Sequence, residues 1–571
     1  MCGYNNLAWG AVPRTPTKSM LGISGFGPNL NIVRDPRFGR NSELPGERPF
    51  LNGQYAKRYV SGMQQSDSRG HPLMLAYVKH LDAYSTENTG AGRGHDNYRI
   101  SLYDFFDSYL PAYKAAFQEG NASGAMCSYN AENGHPSCAN GWLLNDVLRK
   151  RWDQEDTLIT TDCGAVTDVM NNEPLKAGSK ELASAWTINN STDLEMGDEV
   201  WAQGIPIAVK SGLVSEATID QSVRRTLLPL FWAGIFDEPK TIGWLDLGAK
   251  DIGSDASRQI QQDAAAQGMV LLKNEKRLLP LKAGQKIAII GPMATNHDLF
   301  SCYAQANGFA GGCFPGNNNS CSVTIGGGIA ALNTGGMTSI TAGVGIDCKP
   351  DGGPLSCNNQ TAGIAPAVAL AKSADVVVLV LGNDRSVERE GLDRTNTTLE
   401  GIQSQLATAV LAAGVPTLLI LSNGGAIAFD ELIEGSDAIV EAFNPGFGSP
   451  ALADLLFGRS CKWGKLPVTR YPASYQTEQP MLQYAMSAAP GCTYRYYTGK
   501  PLFSFGDGLS LTTFGHRCAC VALACSCTIE NTGGMAGDEV LMVYDLLSAA
   551  IRHTVGALIR PRRNVSSTLS V

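Results

Sequence analysis

Residues 157–165 read T-L-I-T-T-D-C-G-A. Thr157–Thr161 is a short apolar and β-branched run, and Asp162 follows it directly. A run of this kind suits a strand buried on both faces, with the acid standing at its carboxyl end. Working outward, comparable runs occur at Leu30–Val33, Leu73–Val78, Gly124–Ser128 and Asp193–Met196. Polar residues close them: Arg34-Asp35, Lys79-His80, Tyr129-Asn130 and Glu195-Met196-Gly197. Helix-like segments such as Leu102–Phe117 and Ile219–Phe231 lie among them. This alternation predicts parallel βα units over 1–235. Reactive side chains at successive strand ends fit a (β/α)8-type barrel, whose chemistry is built at that face.

Residues 236–255 are rich in Gly and Asp and read as a linker. Region 256–485 carries short continuous apolar runs at Lys286–Ile290, Val376–Leu381, Thr417–Leu421 and Ala438–Phe443. They predict a second buried parallel sheet, an α/β sandwich domain. Ile402, Leu406 and Val410 share one face of a helix between two of these strands. Region 486–571 is turn-rich, with short alternating strands such as Glu539–Tyr544, and reads as a small β-sandwich.

The 571 residues are 44% hydrophobic and 17% charged, with 63 Gly and 28 Pro, which is the balance of a multidomain globular chain. Net charge is −8 and no block of five basic residues occurs, so nucleic acid is not an expected partner. No apolar run reaches the length of a membrane span. The first residues, M-C-G-Y-N-N-L-A-W-G, carry no long apolar core and do not read as a signal peptide. Two features still predict a secreted or cell-wall life. Fifteen Cys include the close groups 127/138, 302/313/321 and 348/357, and the odd count leaves at least one free thiol. N-x-S/T sequons stand at Asn121, Asn189, Asn190, Asn318, Asn359, Asn396 and Asn564.

Several chemistries are excluded by motif. G-x-S-x-G, the P-loop pattern and H-E-x-x-H are all absent, and the seven His include no metal-type pair. Cys518-x-Cys520 with Cys525-x-Cys527 has a zinc-like spacing, but disulfides or small strand residues account for it and no metal is expected. Carboxylates remain. Asp162 at a strand end is either a reactive acid or an N-cap for the next helix. V-E-R-E-G-L-D-R (387–394) holds Glu388, Glu390 and Asp393 just after the strand Val376–Leu381. A strand-end carboxylate plus a carboxylate-rich loop is what a retaining glycosidase requires: one attacks the anomeric carbon, the other protonates the leaving oxygen.

The chain resembles glycoside hydrolase family 3 in ordered blocks from about 20 to 545. N-I-V-R-D-P-R-F-G-R-N-S-E-L-P-G-E-R-P-F (31–50), Lys79-His80 and A-M-C-S-Y-N-A-E-N-G-H-P-S-C-A-N (125–140) are similar to its first-domain signatures. M-V-L-L-K-N (269–274), L-F-G…G-K-L-P-V-T (456–469) and P-L-F-S-F-G-D-G-L-S (501–510) resemble later ones. N-T-G-G-M-A-G-D-E-V (531–540) is similar to the family's fibronectin-type-III-like domain. The resemblance implies that Asp162 is the nucleophile and Glu388 the acid/base, with Glu390 as the alternative in that loop. It implies that Arg40, Lys79, His80 and Tyr129 hold the sugar and orient the nucleophile. Cys163 stands where glucoside-acting relatives commonly carry Trp. With A-Y-S-T-E-N-T-G-A-G-R (83–93), it resembles the plant and fungal β-xylosidase branch. The implied activity is exo-release of terminal β-D-xylosyl residues from xylo-oligosaccharides or related plant cell-wall glycans, with α-L-arabinofuranosides as companion substrates. No cofactor is implied, and the oligomeric state is not.

The resemblance has gaps. The branch's W-x-E-A-L-H-G segment has no counterpart before Asp35, and P-G-E-R-P carries Arg48 in place of an acid. About five strands are legible in the first domain, where a complete barrel has eight. These gaps keep three alternatives in view: a catalytically impaired sugar-binding homologue, an N-terminally truncated gene model, and a family β-glucosidase.

Overall fold

The computed structural model describes residues 23–197, 199–238, 254–300, 322–346, 348–349, 356–357, 359–521, 524–542 and 567–570. Most of the proposed linker, Cys302, Cys313, Cys321 and the sequons at Asn318 and Asn564 lie outside them. The chain forms two compact units. The first gathers residues up to Asp35, Leu44–Ile252 and Pro480–Cys492; the second gathers Pro36–Glu43, Gly253–Gln479 and the residues from Thr493 onward.

In the first unit four strands lie parallel in chain order: β1 (Ser24–Asn29), β2 (Leu75–Leu81), β3 (Gly124–Cys127) and β4 (Leu158–Thr161). Helix α1 (Pro49–Met63) crosses from β1 to β2, and α2 (Pro111–Gln118) leads into β3. Parallel neighbours need such crossovers, so the βα reading of this region holds. Strands β3 and β4 are buried throughout, which explains their lack of polar alternation. After β4 come α3 (Ala165–Asn171), α4 (Lys180–Asn189), α5 (Val200–Lys210) and α6 (Glu216–Trp232). Ser179 and Ser215 cap α4 and α6 by accepting N–H bonds from Leu182 and Thr218.

Three local expectations are corrected. The first strand is Ser24–Asn29, not Leu30–Val33. Beyond it the Asn31 side chain replaces the backbone ladder, donating to the His80 carbonyl and accepting from the His80 N–H, both at 3.0 Å. Asp193–Met196 is not a ladder strand: Leu194 makes one isolated parallel bridge to Thr160. The Asp193 carboxylate accepts the Ile159 N–H at 2.9 Å and pairs with Arg149 and Arg225 at 2.7 and 3.3 Å, a side chain again doing what backbone would do. Leu102–Phe117 is not one α-helix. It holds a short α turn, a π-type turn over Phe105–Tyr109, and α2 starting at Pro111, whose missing N–H suits a first turn.

The second unit is built on a six-stranded sheet. In chain order its strands are β5 (Val270–Asn274), β6 (Lys286–Ile290), β7 (Met337–Thr341), β8 (Val376–Gly382), β9 (Thr417–Ser422) and β10 (Ala438–Glu441). Across the sheet they run β7-β6-β8-β9-β10-β5, all parallel except β5. Alternate residues feed two cores. Ile287, Val378, Val380, Leu418 and Ile420 enter one; Ala288, Leu379, Leu381, Leu419 and Leu421 enter the other. The helix expected on Ile402, Leu406 and Val410 spans Gln403–Leu411 and packs Leu406 and Val410 into the second core.

Near the carboxyl end β11 (Phe514–Val521), β12 (Ala524–Asn531) and β13 (Ser567–Ser570) form an antiparallel sheet. Cys518 and Cys527 face each other across β11 and β12 as a disulfide, which replaces the zinc-like reading of that stretch. The strand expected at Glu539–Tyr544 is not formed over 539–542, and 543–544 lie outside the described residues.

Candidate active site

In the first unit the carboxyl ends of β2, β3 and β4 converge. β4 ends at Thr161, and Asp162 leaves it with its N–H donating to the Cys127 carbonyl of β3 at 3.2 Å. Asp162 Oδ1 accepts the Cys163 N–H at 2.8 Å, and Oδ2 lies 3.4 Å from His80 Nε2. Gly164 turns the chain with φ 87 and caps α3. Asp162 therefore does not spend its carboxylate on capping that helix, the alternative that position alone had left open. Gly197 also has positive φ, and a Cβ there would meet Cys163 Cβ at 2.7 Å. The floor under Cys163 needs glycine.

His80 lies within β2, not after it, and is almost wholly buried. The Asn31 bonds and the Tyr113 hydroxyl, which donates to its carbonyl at 2.7 Å, fix its backbone. Lys79 is half-buried beside it and pairs in register with Asn29. Tyr129 follows β3; its hydroxyl donates to the Cys163 carbonyl at 3.0 Å. It thereby holds the residue next to Asp162. Cys163 is exposed and forms no disulfide.

Sequence reasoning assigned no role to the residues behind this group. Tyr84 packs edge-on against His80, ring centroids 5.0 Å apart. Its hydroxyl donates to Glu87 Oε1 at 2.5 Å, and Glu87 Oε2 pairs with Arg93 Nη1 at 3.0 Å. The Arg93 guanidinium lies 4.2 Å from the centroid of the Tyr129 ring, a cation–π contact. The signal was present in the A-Y-S-T-E-N-T-G-A-G-R stretch, but only as a similarity. Deeper still, Asp82 and Glu132 are buried carboxyls. Burial pushes Asp82 up to about 7, and burial pushes Glu132 well above the usual carboxylate range. Glu132 accepts from Ser137, Asn130 and Asn140. The Cys127–Cys138 disulfide closes the same segment.

The second unit holds the remaining candidates. Arg40 groups there with Pro36–Glu43, not with the strands of the first unit. Its guanidinium is buried, pairs with Glu43 at 2.6 Å and comes within 3.8 Å of Glu390 Oε1. The loop 387–394 follows β8 through Gly382, where a Cβ would meet the Ser422 carbonyl oxygen at 1.7 Å. Glu388 is turned inward. Its Oε1 accepts the Gly424 N–H at 2.7 Å, Gly425 N–H reaches both oxygens at 3.1 Å, and Arg394 Nε sits 3.1 Å from Oε2. Burial pushes Glu388 up, partly offset by Arg394 and these N–H groups. The Glu390 side chain is 31% exposed, against 5% for Glu388. Asp393 accepts the Gly39 N–H at 2.8 Å, tying the loop to the Arg40 turn. Among the described residues no group of three His, Cys, Asp or Glu is placed to hold a metal.

Two family models match this chain: the glycosyl hydrolase family 3 N terminal domain over residues 19–228, and the C-terminal domain of the same family over 269–511. The β-xylosidase/α-L-arabinofuranosidase 1 of Medicago sativa subsp. varia is 36% identical over 515 residues, covering 87% of this chain and 63% of its own length. The β-D-xylosidase 1 of Arabidopsis thaliana is 37% identical over 521 residues, with 88% and 63% covered. The chain thus spans less than two thirds of the length of these relatives. Among solved structures, a family 3 exo-β-xylosidase bound to a xylobiose aziridine probe superposes with TM-score 0.83 at 28% identity, covering 96% of this chain and 74% of the other. The β-glucosidase of Listeria innocua bound to isofagomine gives TM-score 0.82 at 28% identity, covering 100% and 80%. With both family domains matched in order along its length, the chain belongs to glycosyl hydrolase family 3.

Proposed function

We propose that the protein is a retaining exo-glycosidase that removes terminal β-D-xylosyl residues from xylo-oligosaccharides, with α-L-arabinofuranosides as further substrates. One observation carries the reading: Asp162 stands at the carboxyl end of β4, its oxygens held by the Cys163 N–H and beside His80. In the proposed reaction an Asp162 oxygen bonds to the anomeric carbon as the glycosidic bond breaks. The leaving oxygen takes a proton from a glutamic acid. That glutamate then removes a proton from water, which attacks the same carbon and releases Asp162.

For the acid/base we favour Glu390 over Glu388. A general acid needs an oxygen that can reach the leaving group, and both oxygens of Glu388 are engaged by Gly424, Gly425 and Arg394. Its raised pKa would suit an acid, but its geometry suits a residue that pins the loop. We extend the proposal to the finer architecture: a barrel built on β1–β4 and a fibronectin-type-III-like domain built on β11–β13. The disulfides Cys127–Cys138, Cys348–Cys357 and Cys518–Cys527 support an oxidising, secreted setting.

The test is hydrolysis of 4-nitrophenyl β-xyloside. Asp162→Ala should lower kcat by at least about 10⁴-fold, and a 2-fluoro-xyloside should label Asp162 in the wild type. Equal rates, or label on another residue, would refute the nucleophile assignment. Glu390→Gln should slow xylobiose by about 10²–10⁴-fold, yet spare 2,4-dinitrophenyl xyloside and respond to azide. If Glu388→Gln shows that signature instead, the assignment reverts to Glu388. The structural likeness to β-glucosidases makes the matching glucoside the comparison substrate.

A further inference from the structure

A closed circuit of contacts surrounds the nucleophile within the first unit. From Asp162 Oδ2 it runs to His80 Nε2 at 3.4 Å and from the His80 ring to the Tyr84 ring at 5.0 Å. It continues from the Tyr84 hydroxyl to Glu87 at 2.5 Å and from Glu87 to Arg93 at 3.0 Å. Arg93 then lies over Tyr129 at 4.2 Å, and the Tyr129 hydroxyl donates to the Cys163 carbonyl at 3.0 Å. The Cys163 N–H returns to Asp162 Oδ1 at 2.8 Å. Both oxygens of the nucleophile thus end on opposite arms of one loop of contacts, and Glu87–Arg93 is the link farthest from Asp162.

We propose that the Glu87–Arg93 ion pair is a positioning element for the nucleophile, setting the His80 arm and the Tyr129 arm together so that Asp162 is aimed for in-line attack. This rests on the retaining-glycosidase reading above. The Glu87 side chain is fully buried, so its charge needs the guanidinium, and the pair locks the loop that carries both. That loop is braced independently. Thr86 donates to Asp96 at 2.9 Å, and Tyr98 stacks on Tyr484 at 3.7 Å. Loss of the pair would therefore loosen Tyr84 and Tyr129 while the loop stays in place. An error of about 1 Å in a reacting group can cost about 10²-fold in rate.

The variants are Arg93→Met, Arg93→Lys and Glu87→Gln in the full chain. The readouts are melting temperature, kcat and KM on 4-nitrophenyl β-xyloside, and the rate at which a 2-fluoro-xylosyl fluoride labels Asp162. A wild-type-like melt with kcat and labelling rate both down about 10²-fold and KM within about threefold is expected for Arg93→Met. Arg93→Lys should recover part of the loss. Unchanged kcat overturns the proposal. So does a raised KM at unchanged kcat, which would make Arg93 a sugar ligand. If Arg93→Met does not fold, Glu87→Gln, of nearly the same shape, decides by the same criteria. If the wild type neither turns over nor labels, the functional reading fails, and the crystal structure of Arg93→Met still judges the positioning. A displaced Tyr129 ring and Asp162 carboxylate support it; unmoved groups overturn it.

Discussion

Asp162, His80 and Tyr129 show how side chains far apart in sequence reach one place. Three strand ends carry them; the main chain of Asp162 is held by the Cys127 carbonyl, and that of His80 by the side chains of Asn31 and Tyr113. Asp82 lies beneath them, and its setting yields a pH prediction. Its carboxyl ordinarily titrates near 3.8, and burial raises it to about 7 in the folded protein. The native state therefore holds a proton that the unfolded chain has released between those values. The stability this contributes is present at low pH and is lost as pH rises through about 7. Asp82→Asn removes the titration while leaving an oxygen to accept the Ala83 N–H. Urea midpoints measured from pH 4.5 to 8 should fall less steeply for the variant; parallel curves would contradict the assignment. Asp162 was legible from its strand-end position. The Glu87–Arg93 pair was not, because its meaning comes from rings at Tyr84 and Tyr129 that only folding brings near.

At the scale of elements, the continuous apolar runs were the safest reading, because a strand buried on both faces has no polar position to blur it. Four such runs became β6, β8, β9 and β10 with nearly the expected limits. Leu379 lies in the middle of β8 with no exposed surface and packs in the second core. Leu379→Ala should cost about 2–5 kcal/mol, read as a lower denaturation midpoint. Two of the strand expectations that failed have a feature in common. At Leu30–Val33 and Asp193–Met196 an Asn or Asp side chain shares the pairing with a few main-chain bonds, and strand composition cannot reveal that mixture. The Cys127–Cys138 bridge closes an 11-residue separation that includes Tyr129. Replacing both with Ser should lower stability by about 2–4 kcal/mol and should also reduce turnover, since this segment carries Tyr129 of the proposed site.

At the scale of the molecule, two stretches cross between units. Pro36–Glu43 leaves the first run of chain to join the second unit, and Pro480–Cys492 returns to the first. The returning stretch is held by aromatic and cationic contacts. Tyr484 stacks on Tyr98, lies near Tyr109, and carries the Arg34 guanidinium 4.1 Å from its ring centroid. Tyr484→Ala should cost about 3–5 kcal/mol as a buried aromatic truncation, measured by thermal unfolding. It should also weaken the brace on the Arg93 loop. The sequence by itself determined the alternation of strand and helix, the buried character of the second sheet, the family resemblance and the place of Asp162 at a strand end, because periodicity and short motifs are local. The tertiary structure alone decided which unit Arg40 joins, that Glu388 is turned inward while Glu390 is not, and that Glu87 and Arg93 close a ring of contacts around Asp162. Those facts depend on where separate segments meet, and packing and the pairing of buried charges select that meeting, not neighbouring residues in the chain.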